Sequence, residues 1–142
     1  MKKILMLLVT LFLFAGCSNL TAKNEENTDL RIADISTSIG GVGETFEKQK
    51  LNYEITIINK KNISIIDDSI ETVLIDWINE KLIEQEITEK RFDEDKIIVK
   101  GYVIFESKDL TKKDIIENEP FINGIKIRTK NDEEVLIKHK FN

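Results

Sequence analysis

An antiparallel β-sandwich is the fold class this sequence predicts, and three observations carry the prediction. Six to eight short segments alternate apolar and polar residues between charged or Asn/Gly-containing turns. Only one segment carries firm helix-start chemistry. The strand–helix rhythm that builds a parallel sheet is missing. The chain is therefore expected to be mainly β with one short helix, preceded by a signal helix and a flexible tether.

Met1 to Cys17 reads MKKILMLLVTLFLFAGC: two lysines, an apolar run from Ile4 to Phe14, two small residues, then the chain's sole cysteine. That is the grammar of a secretory signal. The run is short of the ~20 apolar residues a membrane span needs. Phe14-Ala15-Gly16-Cys17 resembles the lipobox of bacterial lipoproteins, with Phe14 where that family usually has Leu. The resemblance implies lipidation of Cys17, cleavage before it, and a membrane anchor of acyl chains such as palmitate. The chain divides into a signal peptide (1–16), a lipidated Cys and disordered tether (17–29), and one domain (30–142). Ser18 to Asp29 is polar and aperiodic. Extended, its twelve residues reach ~40 Å, enough to lift a domain clear of headgroups.

Within the domain, Leu30 to Ile35 alternates loosely and is expected as a first strand. Ser38 to Thr45 (SIGGVGET) has a superficial likeness to a phosphate loop, but Glu44 stands where the lysine belongs. It reads as an inter-strand loop. Leu51 to Asn59 puts Leu51, Tyr53, Ile55 and Ile57 on one face, the clearest strand. Asn59 to Asn62 reads as a turn joining it in a hairpin to Ile63–Ile66. Ser69 to Glu86 mixes helical spacing with strand-forming residues; the expectation is a bent strand, a helical turn near Ile75–Glu80, then strand from Leu82 to Ile87. Trp77 is expected as a core anchor.

Ile97 to Phe105 is apolar on both faces, which suggests a central strand covered on both sides. Gly101 in its middle suggests a bulge or a close backbone approach. Thr111-Lys-Lys-Asp114 has capping-box spacing, with Leu110 and Ile115 at the staple positions, and Pro120 stops the helix. Leu110, Ile115 and Ile116 are expected to pack over one end of the sheets. Gly124–Thr129 and Val135–Phe141 read as a last hairpin.

Removing the signal leaves 19 basic and 26 acidic residues, so the net charge moves from −5 to −7 with the loss of Lys2 and Lys3. Such a chain is poorly suited to nucleic acid. One cysteine makes no internal disulfide, and one histidine without free cysteine builds no His/Cys metal site. His139 falls in phase with core residues, and no serine sits in a nucleophile elbow. The acidic pairs and triplets at Asp67-Asp68, Asp93-Glu94-Asp95 and Asp132-Glu133-Glu134 lack EF-hand spacing and read as solvated turns. No catalytic residue, metal or cofactor is assigned. Lys126, Arg128, Lys130, Lys138 and Lys140 fall on the outward face of the last hairpin. They read as a solvated face that blunts a strand edge, with contact to anionic headgroups or wall polymers as the alternative.

The strands LNYEITIIN (Leu51–Asn59) and VKGYVIF (Val99–Phe105), with LTKKDII (Leu110–Ile116), resemble small immunoglobulin-like lipoproteins of Bacillus and its relatives, over roughly Leu51 to Lys140. The cysteine pair of antibody domains is missing. The resemblance implies fold and location, and no functional residue beyond Cys17. The expected protein is a lipid-anchored module on the extracytoplasmic face of a cell membrane, binding another envelope protein through a strand edge or end loops. An envelope hydrolase is the competing class: it requires a cleft holding His139 beside an acid and a hydroxyl. A structural or stress-related surface lipoprotein is the third. Edge pairing makes a dimer one option for the oligomeric state.

Overall fold

The computed structural model describes residues 29–140. The signal segment, Cys17, the tether up to Thr28 and Phe141 lie outside the described residues. Strand β1 (Leu30–Gly41) pairs antiparallel with β2 (Lys48–Asn59). The eleven residues 60–70 then lead, through a 3-10 turn at Asp67–Ser69, to β3 (Glu71–Leu74) and helix α1 (Asp76–Glu80). Strands β4 (Leu82–Phe92) and β5 (Lys96–Glu106) form a hairpin. Helix α2 (Lys112–Glu117) precedes the hairpin of β6 (Ile122–Arg128) and β7 (Glu134–Lys138). The strands make two antiparallel sheets, of order β1-β2-β5-β4 and β3-β6-β7.

Alternation decides which faces meet. On β2 the row Leu51, Tyr53, Ile55 and Ile57 is buried, and on β5 the row Ile97, Val99, Val103 and Phe105. The second sheet supplies Leu74, Ile122, Ile125 and Ile127 to the same core. Each such side chain contributes roughly 1.5–3 kcal/mol by leaving water. Two polar stitches cross between the sheets. Thr72 Oγ1 donates to Tyr53 Oη at 3.0 Å, and Gln85 Nε2 donates to the Thr72 carbonyl at 2.9 Å.

Gly101 faces Tyr53 across the β2–β5 pair. A Cβ at Gly101 would lie 2.6 Å from Tyr53 Cζ and would also run into Tyr53 Oη and the Glu86 carbonyl. The glycine therefore makes room for the Tyr53 ring in the core, the close approach its mid-strand position suggests.

Helix α1 lays Trp77 against the core. Its ring meets Phe105 edge-on at 5.5 Å and Phe121 at 6.2 Å, and Nε1 donates to the Asn118 carbonyl at 3.2 Å. Trp77 is thus a core anchor, and the turn near Ile75–Glu80 is a helix, giving two helices rather than the expected one. Helix α2 carries the capping box. Asp114 N–H donates to Thr111 Oγ1 at 3.2 Å, and Thr111 N–H donates to Asp114 Oδ2 at 2.7 Å. Hydrogen bonds from the Thr111 backbone and hydroxyl hold the Asp114 carboxyl below its usual range.

Four expectations are corrected. Strand β1 runs six residues past Ile35 and absorbs Ser38–Gly41, because a bulge between Ile32 and Asp34 resets its phase and brings Ile39 opposite Leu51. The turn after Asn59 forms, with Asn59 Oδ1 accepting from Ile63 N–H at 2.8 Å. The hairpin does not, because both sides of β2 are taken by β1 and β5; Ile65 instead bridges Thr129. The outer face of β5 is only partly covered: Ile98 is buried, whereas Lys100, Tyr102 and Ile104 are half-buried. Ile116 points away from the sheets at 66% exposure, leaving Ile115 as the buried residue of α2.

Leu30 lies opposite Asn59, and Gly41 opposite Gln49. The chain therefore enters at the end bearing the 59–62, 93–95 and 129–133 turns. The Val42–Glu47 loop lies at the far end, where Ser107 N–H donates to the Glu47 carbonyl.

Candidate functional site

The chemistry-bearing side chains fall into three groups. The first is the set of acidic turns. Asp67 pairs with Lys90 at 3.0 Å, Asp93 with Arg91 at 3.4 Å and Asp132 with Arg128 at 3.7 Å. Among the described residues no three His, Cys, Asp or Glu side chains converge as a metal site would require.

The second group is the outward basic stripe. Lys126 lies 3.5 Å from Glu71 on β3 and 3.3 Å from Glu134 on β7. The Glu134 carboxylate, followed by Glu71, raises the Lys126 pKa above its ordinary value. Arg128 pairs with Asp132, and Lys130, Lys138 and Lys140 are exposed. Lys126, Arg128 and Lys138 share a face of the β6–β7 hairpin, Lys130 lies in its turn and Lys140 beyond β7, and the two central cations already face carboxylates. The stripe is an alternating surface rather than a cationic one.

The third group surrounds the far half of β1. A hollow of about 400 Å³ opens between the sheets, lined by Ile35 and Thr37 of β1, the Glu119–Phe121 segment, Ile122 and His139. His139 continues β7, its backbone N–H donating to the Asn123 carbonyl at 3.1 Å. A hydroxyl, a carboxyl and the sole imidazole thus share one lining with four apolar residues.

The strand beside that hollow is unusual among the sheet edges. Natural edges are blunted by charge, bulges or brevity. Strand β4 has two bulges and carries Glu84, Glu86, Glu89, Lys90 and Arg91. Strand β3 has four residues with Glu71, and β7 has five with Glu134 and Lys138. Strand β1 is twelve residues long, and from Ile35 to Gly41 it has no charge and no proline. Among the described residues nothing pairs with its outer side. Its free row of N–H and C=O groups is a template for another strand.

One arrangement went unseen in the sequence. On the outer face of the larger sheet, Tyr102 Oη lies 2.5 Å from Glu84 and 2.6 Å from Glu86, while Lys50 Nζ sits 3.8 Å over its ring. The hydrogen bonds to Glu84 and Glu86 push the Tyr102 pKa well up. Beside it Lys100 bridges Glu54 and Glu89, each at 3.4 Å. The period-two spacing of Glu84 and Glu86 was visible, but their partner across β4–β5 depends on register.

No family model, curated protein or solved structure matches the chain. Among the described residues no helix is long and apolar enough to cross a membrane.

Proposed function

We propose that this chain is a lipid-anchored, immunoglobulin-like module on the extracytoplasmic face of a bacterial cell membrane, acting by binding another envelope component rather than by catalysis. Cys17, outside the described residues, is the lipidation site. The strand order supports the immunoglobulin-like reading: β1-β2-β5-β4 over β3-β6-β7 follows the A-B-E-D over C-F-G order of constant-type domains. Trp77, just past the third strand, is half-buried and packs edge-on against Phe105 and Phe121.

The observation that carries the function is the uncharged β1 edge from Ile35 to Gly41, unpaired among the described residues, beside an open hollow. Main-chain pairing supplies affinity there, and the hollow supplies a place for one side chain. This half of β1 lies toward the end away from the tether, where an anchored domain would offer it outward. The basic stripe is assigned to solvent, because Glu71, Glu134 and Asp132 already answer its central cations. The acidic balance of the chain disfavours nucleic acid.

In-cell crosslinking followed by pull-down tests the reading, comparing the wild type with Cys17→Ser. Specific capture of an envelope component by the wild type, reduced in the variant, is expected. No capture by either form overturns it. The hydrolase reading draws on one observation, the shared lining of Thr37, Glu119 and His139. It requires ester or amide hydrolysis that His139→Ala abolishes.

A further inference from the structure

The uncharged stretch of β1 contains a palindrome, Ile35-Ser36-Thr37-Ser38-Ile39. We propose that the open edge of β1 pairs antiparallel with β1 of a second copy of this chain, about a two-fold axis through Thr37. The proposal rests on the reading of β1 as the interaction element and names its occupant.

A two-fold interface requires that when residue i faces j, residue j faces i. Centred on Thr37, the antiparallel register sets Ile35 against the other copy's Ile39, Ser36 against Ser38, and Thr37 against itself. The pairing with β2 fixes which side each occupies. Ile35, Thr37 and Ile39 lie opposite Ile55, Tyr53 and Leu51, all of the core-facing row, and Ser36 and Ser38 lie opposite outward Glu54 and Asn52. The inner row is then Ile-Thr-Ile against Ile-Thr-Ile, and the outer row is serine against serine. A threonine pair is among the favourable cross-strand combinations, and no like charges face each other across the register.

The ends of the register agree. Asp34, the nearest charge, meets Gly40 of the other copy rather than a carboxylate. Ile35 and Thr37 line the hollow, so the inner side chains of the incoming strand cover its mouth. A neutral edge would accept many extended peptides, but the palindrome singles out its own kind. Edge β4, with Glu84, Glu86 and Glu89, offers no such self-match. An interface of one strand pair falls below the ~1,200 Å² of stable complexes. Pairing is therefore weak in dilute solution and is favoured when both copies share a membrane surface and a high effective concentration.

Cysteines introduced one at a time into the full chain, which keeps Cys17, produced in cells and oxidised mildly in the membrane, test the pairing on non-reducing gels. Thr37→Cys should give a covalent dimer that wild type lacks and that Thr88→Cys, on the β4 edge, does not give. Co-producing the Ser36→Cys and Ser38→Cys chains should give more dimer than either alone, which reads the register directly. Thr37→Cys dimer no greater than that of Thr88→Cys overturns the proposal, and so does Ser36→Cys alone crosslinking as well as the mixture. A photoreactive side chain at position 37 separates the two levels. Capture of a different envelope protein in place of a second copy overturns self-pairing and leaves the binding-module reading intact. Capture of nothing overturns both.

Discussion

Gly101→Ala is the substitution that most directly tests how the two sheets are joined. The new methyl would stand 2.6 Å from Tyr53 Cζ and would collide with Tyr53 Oη and the Glu86 carbonyl. Tyr53 is 4% exposed and has nowhere to go inside a close-packed core. Overpacking of this kind costs about 1–3 kcal/mol. If the ring swings away, the hydrogen bond from Thr72 is lost as well, another ~1 kcal/mol. Alanine recovers only about 0.5–1 kcal/mol through its lower strand entropy cost. The net expectation is a loss of roughly 2–3 kcal/mol, or about 10 °C in Tm for a domain of this size.

Urea unfolding followed through Trp77, the sole tryptophan, measures that loss because its ring rests on Phe105 and Phe121. A double-mutant cycle with Tyr53→Leu then isolates the ring. In the leucine background the clash with the Tyr53 ring is gone while that with the Glu86 carbonyl remains. Gly101→Ala should cost at least ~1 kcal/mol less there than in the wild type. An equal cost in both backgrounds would refute the argument that the glycine exists to admit the ring.

Three further outcomes follow from single observations. Thr129 is buried and among the described residues its hydroxyl has no hydrogen-bond partner, so Thr129→Val should stabilise the fold by about 1 kcal/mol in the same urea assay. The chain has two tyrosines, and both have raised pKa values: Tyr53 by burial, against a smaller opposing effect of the Thr72 hydrogen bond, and Tyr102 by its hydrogen bonds to Glu84 and Glu86. Raised folded-state values mean stability that is complete below the ordinary tyrosine value, about 10, and lost as pH rises through the folded values. Near-ultraviolet titration should therefore show phenolate formation displaced above pH ~10 in the folded protein, and Glu84→Gln with Glu86→Gln should bring the Tyr102 step back down. Replacing Lys126, Arg128, Lys130, Lys138 and Lys140 together by Gln should leave binding to anionic vesicles unchanged, because carboxylates already flank the central pair; a clear loss would return the stripe to function.

How much of this was legible beforehand depends on whether the governing interaction was local. The capping box at Thr111 and Asp114 is a four-residue matter, and its spacing read correctly. Alternation on Leu51–Ile57 identified the buried row of β2, and Gly101 announced a close approach although not the ring that makes it. The last hairpin also read correctly from its flanking strands. The hairpin assigned across Asn59–Asn62 failed for the opposite reason. The turn forms locally, but β2 has only two sides, and β1 and β5, one of them nearly forty residues later, already occupy them.

The same distinction governs the candidate site. Charges on β4 and their absence from Ile35–Gly41 are plain in the sequence, as is the palindrome. Neither means anything until pairing order makes β1 and β4 the two outer strands of one sheet. Strand β4 then needs its bulges and its five charges, because an eleven-residue edge without them would recruit strands indiscriminately. Strand β1 faces the same hazard over a similar length, and its protection, Arg31, Asp34 and the bulge at Ile32–Asp34, is confined to its first half and leaves Ile35–Gly41 without charge, bulge or proline. Two edges of one sheet under one physical pressure, resolved in opposite ways, argue that the open one is kept open for pairing. Its self-matching order supplies the reason that this pairing stays selective.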